Sequence, residues 1–243
     1  MRRFVITAFA LCLVGFASAQ TDTTITTKTK TKQKYEARSG DHLMLQFGYT
    51  SWANQPDSIH TKGFPHTFNA YFMFDFPFKT NPHWSVALGP GIATDNIYFD
   101  KMYVGVKDNS QSIRFQNLSD TSHFKKYKLA TAYLEAPVEL RYRFNPNDDA
   151  KSVKLAIGAK IGTMLNAHVK GKTFQTSTGA LLADYTLKES SKHFFNTTRL
   201  SLMARAGVGH FTVFGTYAAT ALFKEGQGPQ VHPVTIGLTL SGL

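Results

Sequence analysis

The sequence predicts an all-β protein, an eight-stranded antiparallel up-and-down barrel that crosses a membrane with its strands. Three observations indicate this fold class. Apolar and polar residues alternate with a period of two from residue 41 onward, the connections between these segments are alternately short and long, and the polar positions contain many small residues. Alternation is typical of a strand with two different faces. An even strand number with alternating loop lengths is typical of outer-membrane barrels.

Residues 1–19 have the composition of a secretory signal peptide. Arg2 and Arg3 precede an apolar run from Phe4 to Phe16, and Ala17-Ser18-Ala19 forms a small-residue cleavage site. The run is too short to span a bilayer. It contains the single cysteine of the chain. We therefore expect an exported chain cleaved near Ala19, without a disulfide scaffold or a thiolate metal site.

Residues 20–40 form a basic, low-complexity segment in which threonine and lysine alternate. The segment has little to bury, so we expect a disordered periplasmic tail, although its threonines could also support a strand. The formal net charge of the chain is +11. For an exported protein, this charge favours the phosphates of lipopolysaccharide over nucleic acid as the anionic neighbour. The barrel is expected over residues 41–243.

The first four predicted strands each have one apolar face. It is formed by Leu43, Leu45, Phe47 and Tyr49 in the first strand, by Phe68, Ala70, Phe72, Phe74, Phe76 and Phe78 in the second, by Trp84, Val86, Leu88 and Ile92 in the third, and by Leu134, Ala136, Val138, Leu140, Tyr142 and Phe144 in the fourth. Pro90 lacks an N–H, so a bulge or an edge irregularity is expected in the third strand.

The last four predicted strands follow the same pattern. Their apolar faces are formed by Val153, Leu155, Ile157, Ala159, Ile161 and Leu165, by Leu200, Leu202, Ala204, Ala206 and Val208, by a less regular seventh segment from Phe211 to Phe223, and by Val234, Ile236, Leu238 and Leu240. Two polar stretches, 100–126 and 170–195, are expected to be long loops. Residues 80–82 and 145–149 are expected to be compact turns.

The orientation of the faces distinguishes a membrane barrel from a soluble one. The apolar faces carry no charged residue, and the opposite faces are rich in glycine, alanine and serine, which a narrow barrel interior requires. Aromatic residues gather near the predicted short turns, as in an interfacial girdle: Phe76, Phe78, Trp84, Tyr142, Phe144 and Phe211. These features favour apolar faces that point outward to lipid. A soluble, exported ligand-binding barrel, with its faces reversed, is the alternative.

The polar faces then line the lumen and form the candidate site. The sequence predicts a lumen ion-pair network of Asp75, Glu135, Glu139, Arg141, Arg143, Lys154, Lys160, Arg199 and Arg205. Charges in a narrow interior must be paired because their desolvation is costly. Since eight strands leave little free bore, we expect a polar plug and no open pore.

The segment Tyr133-Leu134-Glu135-Ala136-Pro137-Val138-Glu139-Leu140-Arg141-Tyr142 resembles a strand of the PorT-like outer-membrane β-barrel family of Bacteroidota. Gly158-Ala159-Lys160-Ile161-Gly162 and Gly237-Leu238 are also similar to that family. Glu139 departs from the pattern, which usually has an apolar residue there. The resemblance implies an eight-stranded barrel in a Gram-negative outer membrane. It does not imply a role in protein secretion.

Candidate catalytic and metal-binding residues are few. Glu189, Ser190, Ser191 and His193 are close in sequence and could belong to a lipid A-modifying hydrolase, but polar loop residues are the favoured interpretation. The histidines lack metal-ligand spacing, and residues 145–149 fit a turn better than a calcium loop. We therefore expect no catalytic residue, no metal and no cofactor.

Basic residues of the long connections suggest partners. They are Lys101, Lys107, Arg114, Lys125, Lys126, Lys170, Lys172, Lys188 and Lys192. They are either solvated loop charges or an outer rim that holds lipopolysaccharide phosphates. We expect a non-enzymatic outer-membrane protein with a structural, adhesion or assembly role. Its expected partners are outer-membrane lipid, lipopolysaccharide and other envelope proteins, and no nucleic acid.

Overall fold

The computed structural model describes residues 42–146 and 151–242, all of them within the unit Tyr35–Leu243. The predicted signal peptide (residues 1–19) and basic tail (residues 20–40) lie outside the described residues. The described strands are β1 (Leu43–Ala53), β2 (His66–Phe72), β3 (Phe74–Pro77), β4 (Trp84–Leu88), β5 (Gly91–Phe99), β6 (Met102–Val104), β7 (Phe115–Asn117), β8 (His123–Arg143), β9 (Val153–Gln175), β10 (Leu181–Ser190), β11 (Thr198–Val208), β12 (Phe211–Ala218) and β13 (His232–Ser241). Within 42–146 and 151–242, no helix has the length and apolarity needed to cross a bilayer.

Antiparallel pairing closes the main sheet into a ring of eight strands. The order around the ring is β1, β2, β5, β8, β9, β11, β12 and β13, and β13 pairs again with β1. Each strand pairs with its sequence neighbour in the ring, which is the up-and-down arrangement. The predicted eight-stranded antiparallel barrel is therefore confirmed.

Short interruptions divide two of the ring strands. β3 continues β2 beyond Met73, and β4 precedes β5 across Gly89-Pro90. The register is the same on both sides of these breaks, because Phe74 pairs with Leu88 and Tyr71 pairs with Gly91. Pro90 thus interrupts the strand, as expected from its missing N–H, but it does not insert the extra residue of a bulge.

The apolar faces of the strands point outward. Phe72, Val138 and Ile157 are 48%, 50% and 63% exposed, whereas Arg141 and Lys160 are each 4% exposed. A soluble barrel would bury the first group and expose the second. The outward apolar residues of β8 and β9 form a belt from Leu134 to Phe144 and from Val153 to Leu165, which we take as the membrane-spanning part of these strands.

The two ends of the barrel differ in the length of their connections. Short connections follow β3, β8 and β11 at one end, together with the first residues of β1 and the last residues of β13. Residues 54–65, 100–122, 176–197 and 219–231 form long connections at the other end. In outer-membrane barrels, short turns face the periplasm and long loops face the exterior. We name the two ends accordingly.

Three of the predicted boundaries were wrong. The polar stretch 100–126 contains β6, β7 and the start of β8, and the stretch 170–195 contains the end of β9 and all of β10. These residues pair with one another above the belt, where polar outward side chains meet water. The seventh strand, predicted to reach Phe223, ends at Ala218 because the chain then turns inward and buries Phe223.

A single extra residue in β9 changes which side chains point inward. Tyr133 pairs with Met164 and Ala132 pairs with Asn166, so Leu165 has no partner in the β8–β9 register. Below this bulge, even-numbered residues of β9 such as Met164 are buried inside the barrel; above it, odd-numbered residues such as Ala167 are. A β-bulge inserts one residue and thereby shifts the alternation.

The extracellular half of the interior is apolar. Side chains from the strands and from the long connections pack there into an extracellular apolar cluster, which includes Trp52, Phe99, Val104, Tyr127, Leu129, Val169, Phe194, Phe195, Phe223 and Val231. Trp52 contacts both Phe99 and Phe223, with ring centroids 5.8 and 6.1 Å apart. The connections therefore fold over the extracellular mouth and fill it.

Candidate functional site: the charged interior and the extracellular lysine cluster

Glu139 is the centre of the lower ion-pair group in the barrel interior. Its Oε2 accepts hydrogen bonds from Arg141 Nε at 2.8 Å and from Arg205 Nη2 at 2.7 Å. The carboxylate is completely buried. Glu139 lies opposite Gly158 on β9, where a Cβ would lie 2.1 Å from the carbonyl oxygen of Val138. Glycine at 158 therefore allows the close approach of β8 and β9 beside this carboxylate.

Asp75 extends the lower group toward the periplasmic end. Arg143 Nη2 donates to Asp75 Oδ2 at 3.2 Å, and Arg141 Nη1 lies 3.6 Å from Asp75 Oδ1. Lys154 is buried at the same end, directly opposite Arg143 in the β8–β9 register. Charged side chains from four strands, β3, β8, β9 and β11, thus meet below the middle of the barrel.

Glu135 is the centre of the upper group. It accepts hydrogen bonds from Arg199 and, at 2.6 Å, from the hydroxyl of Tyr71. Lys160 Nζ lies 3.3 Å from Glu135 Oε2 and donates to Tyr71 Oη at 3.2 Å. Arg199 also pairs with Asp95. Tyr71, Glu135, Lys160 and Arg199 are buried and Asp95 is partly buried, so these charge-assisted bonds offset a large desolvation cost.

The structure brings together the residues that the sequence analysis assigned to the lumen. Asp75, Glu135, Glu139, Arg141, Arg143, Lys160, Arg199 and Arg205 form ion pairs with one another. Two residues of the network were not predicted, Asp95 and Tyr133; the ring centroid of Tyr133 lies 3.8 Å from the Arg199 guanidinium carbon. Asp95 continues the inward alternation of Ala87 and Gly91, so a longer third strand would have included it.

The charged groups leave little open space in the interior. The cavities beside them have volumes of about 10 Å³ each. A cavity of that size holds about one water molecule. The charged interior and the extracellular apolar cluster thus fill successive levels of the described barrel.

A second charged feature lies on the outer wall, above the belt. Lys128 on β8, Lys170 on β9 and Lys188 on β10 lie directly opposite one another in the register. Lys126 and Lys172 form the next row. We call these five residues the lysine cluster. Lys126, Lys170, Lys172 and Lys188 were predicted rim residues. Lys128 was missed because it lies between the predicted loop 100–126 and Leu134, the first predicted apolar residue of the fourth strand.

The neighbours of the lysine cluster show its electrostatic character. Lys128 Nζ donates to Asn96 Oδ1 at 2.7 Å and lies 5.8 Å from the ring centroid of Tyr98. Burial, and then the positive charges of Lys170 and Lys172, lower the pKa of Lys128. Burial and the lysines at 188, 128 and 170 lower the pKa of His168, which lies just below the cluster. The outer wall is strongly positive here.

The other predicted rim residues do not join the cluster. Arg114 pairs with Asp108 at 2.6 Å, and Lys192 Nζ donates to the Met164 carbonyl at 3.3 Å. Lys125 lies in an adjoining groove with Phe64 and Tyr98. Lys101 and Lys107 are in the connection between β5 and β7.

The four candidate catalytic residues do not form a nucleophile–base pair. Ser190 ends β10, and the amide of His193 donates to Ser191 Oγ at 3.2 Å. In the described ranges, no serine hydroxyl is hydrogen-bonded to a histidine ring. The described residues also include no group of three or more histidine, cysteine or acidic side chains placed to hold a metal ion. Part of the predicted turn 145–149 lies outside the described residues.

Comparison with known proteins places these features in a family. Two solved structures of Ail, the attachment invasion locus protein of Yersinia pestis, are similar. One, in complex with the heparin analogue sucrose octasulfate, has 14% identity and a TM-score of 0.36. The other has 13% identity and a TM-score of 0.34. Each match covers 82% of this chain and 95% of the other. No curated protein matches the sequence. The family described as "outer membrane protein beta-barrel domain" matches residues 19–225, and the chain belongs to this family of outer-membrane proteins.

Proposed function

We propose that this protein is a closed, non-conducting barrel with a structural, adhesion or assembly role in the outer membrane, and that it is not an enzyme. The observation that carries the proposal is the filled interior. Glu135 and Glu139 hold arginine and lysine side chains from several strands across the lumen. The extracellular apolar cluster then blocks the outer mouth. A transport role would need a continuous aqueous path.

Conductance of the purified protein tests this proposal. The full mature chain, refolded in detergent, would be inserted into planar bilayers, and its folding would be checked by the heat-dependent shift of its gel mobility. We expect no stable conductance steps. Large, steady steps from folded protein would refute the closed barrel. A variant that trims the mouth cluster, Phe223→Ala with Trp52→Ala, should remain closed, because the charged interior below would still be intact.

The alternative function is a lipid A-modifying hydrolase. It requires a serine nucleophile within hydrogen-bond reach of a general base, and the contacts of Ser190, Ser191 and His193 do not supply that pair. A lipid A deacylation assay on the folded protein separates the two functions. We expect no release of fatty acid, and release that depends on Ser190 would favour the hydrolase.

The export route and the finer relationship are also proposals. The basic and apolar composition of residues 1–19 supports cleavage near Ala19, which N-terminal sequencing of the membrane-inserted protein would test. The segment Tyr133–Tyr142 supports membership of the PorT-like group of Bacteroidota. Lipopolysaccharide is the proposed lipid partner, because the exterior of the barrel carries exposed positive charge, and other envelope proteins are further candidates.

A further inference from the structure

The lysine cluster places like charges in direct opposition. Lys128 faces Lys170, Lys170 faces Lys188, and Lys126 faces Lys172. Directly opposed like charges destabilise an antiparallel pair. In the part of the chain that the structure describes, no carboxylate forms an ion pair with any of the five lysines. Within the described residues, no ion pair therefore offsets the repulsion between these lysines. A bound anion would reduce that repulsion.

The cluster borders a groove that could accept such an anion. Tyr98, Lys126, Tyr127, Lys128, Lys170 and Lys172 line a space of about 200 Å³ on the outer wall. An adjoining groove of about 460 Å³ adds Lys62, Phe64, His66 and Lys125. Ammonium groups bind phosphate as point charges, and the aromatic rings offer flat surfaces for a sugar. The combination fits a phosphorylated sugar better than an isolated ion.

The distance of the lysine cluster from the apolar belt can be measured along β8. Lys128 precedes Leu134 by six residues on β8 and therefore lies nearer the extracellular end. Leu134 is the strongly exposed apolar residue of β8 that is closest to that end. Six residues extend about 20 Å along a strand, and less than that along the membrane normal when the strand is tilted. Only Ala130 and Ala132 lie between them on that face. The lysine side chains can therefore extend down over small residues toward the headgroups.

We propose that the lysine cluster binds the phosphate groups of a phosphorylated glycolipid of the outer leaflet, of the lipid A type. The sugar lies against Tyr98, and the acyl chains lie along the apolar belt beside Leu134 and Ile92. The inference rests on the proposed function only in requiring the long connections to face the exterior. Whether the lumen conducts is a separate question that the bilayer measurement answers on its own.

The test uses the full mature chain folded in a neutral detergent. Binding would be measured with bis-phosphorylated lipid A, with the same lipid A after removal of both phosphates, and with inorganic phosphate. The test variant is K128Q/K170Q/K172Q. The matched control is K79Q/K101Q/K107Q, which removes the same charge from other connections. Heat-dependent gel mobility would show that both variants fold.

We expect the affinity for bis-phosphorylated lipid A to fall at least tenfold in the test variant and less than twofold in the control. The affinity of the unmodified protein should weaken with added salt, because the contacts are electrostatic, and the phosphate-free lipid should bind at least tenfold more weakly. Equal binding of the two lipids, or an unchanged affinity of the test variant, would overturn the proposal. Inorganic phosphate that binds as tightly as lipid A would also overturn it, since the site would then be one for free anions.

Discussion

Arg205 and Glu139 form a hydrogen bond of 2.7 Å between two strands that do not pair with each other, β11 and β8. β9 lies between them in the sheet, so the bond passes over the inward-facing side of β9. Glu139 also accepts from its own strand neighbour at Arg141. The bond therefore adds a constraint that backbone pairing alone does not provide.

Removal of the Glu139 carboxylate should destabilise the barrel strongly. Glu139→Ala leaves the guanidinium of Arg205 buried without this partner, and breaking a buried pair costs about 3–5 kcal/mol. Urea unfolding in lipid vesicles, followed by gel mobility, would measure the loss. Glu225→Ala, at an exposed extracellular position, is the matched control and should change the free energy of unfolding by less than about 0.5 kcal/mol. Equal stability of the two variants would contradict the role given to this bond.

Gly158 and Gly215 should respond differently to alanine. An alanine Cβ at 158 would lie 2.1 Å from a backbone oxygen of β8, whereas at 215 the nearest atom, the carbonyl oxygen of Thr235, would be 3.9 Å away. Overpacking of this kind costs about 1–3 kcal/mol or more. We expect Gly158→Ala to lower the folded fraction after refolding and Gly215→Ala to leave it unchanged. Tolerance of alanine at 158 would show that β8 and β9 are farther apart than described.

A lysine on the belt should cost more than a lysine on the extracellular hairpin. Ile157 and Leu182 are 63% and 53% exposed, but only Ile157 lies within the belt. A lysine near the bilayer midplane costs about 2–4 kcal/mol. We expect that loss for Ile157→Lys and a change within about 0.5 kcal/mol for Leu182→Lys, both measured as unfolding free energies in vesicles. Similar losses at both positions would place the membrane boundary elsewhere.

The pKa of His168 should report the charge of the lysine cluster. Burial and the nearby lysines hold it below its ordinary value of 6.5. The unfolded chain then binds the proton more tightly, so this contribution to stability is complete above pH 6.5 and is lost as the pH falls through the folded pKa. An NMR titration of the histidine rings would give a midpoint below 6.5, and Lys170→Gln would raise it.

The same histidine titration can be repeated in the presence of lipid A. Bis-phosphorylated lipid A should raise the pKa of His168, because bound phosphate offsets the positive potential at the ring. Phosphate-free lipid A is the control and should leave it unchanged. A His168 midpoint that responds to neither Lys170→Gln nor the phosphorylated lipid would contradict the electrostatic coupling described above.

The alternation of residues was sufficient to predict the strands within the belt and the direction of their side chains. The strand segments that contain Leu134 and Ile157 face lipid on one side and the lumen on the other. Successive residues in these segments therefore alternate in polarity. The same rule gave the inward positions of Glu135 and Lys160. It did not give their partners, because pairing across the lumen depends on the register of strands that are distant in sequence.

Alternation failed above the belt for a physical reason. There the outer solvent is water and the interior is apolar, so Lys128 points outward and Leu129 points inward. A segment with this inverted pattern, interrupted by lysines, has the composition of a polar loop. The strand ends of β8 and β9 were therefore missed, and with them the position of Lys128 in the cluster.

The unpaired residue at Leu165 restricts how this part of the chain can change during evolution. Deletion of one residue there would exchange the faces of everything beyond it, bringing Lys170 inward and Val169 into water. A gain or loss of two residues keeps the order of faces and changes only the length of the hairpin. Related chains should therefore differ in the length of this hairpin by even numbers, and a change of one residue should be accompanied by a compensating change nearby.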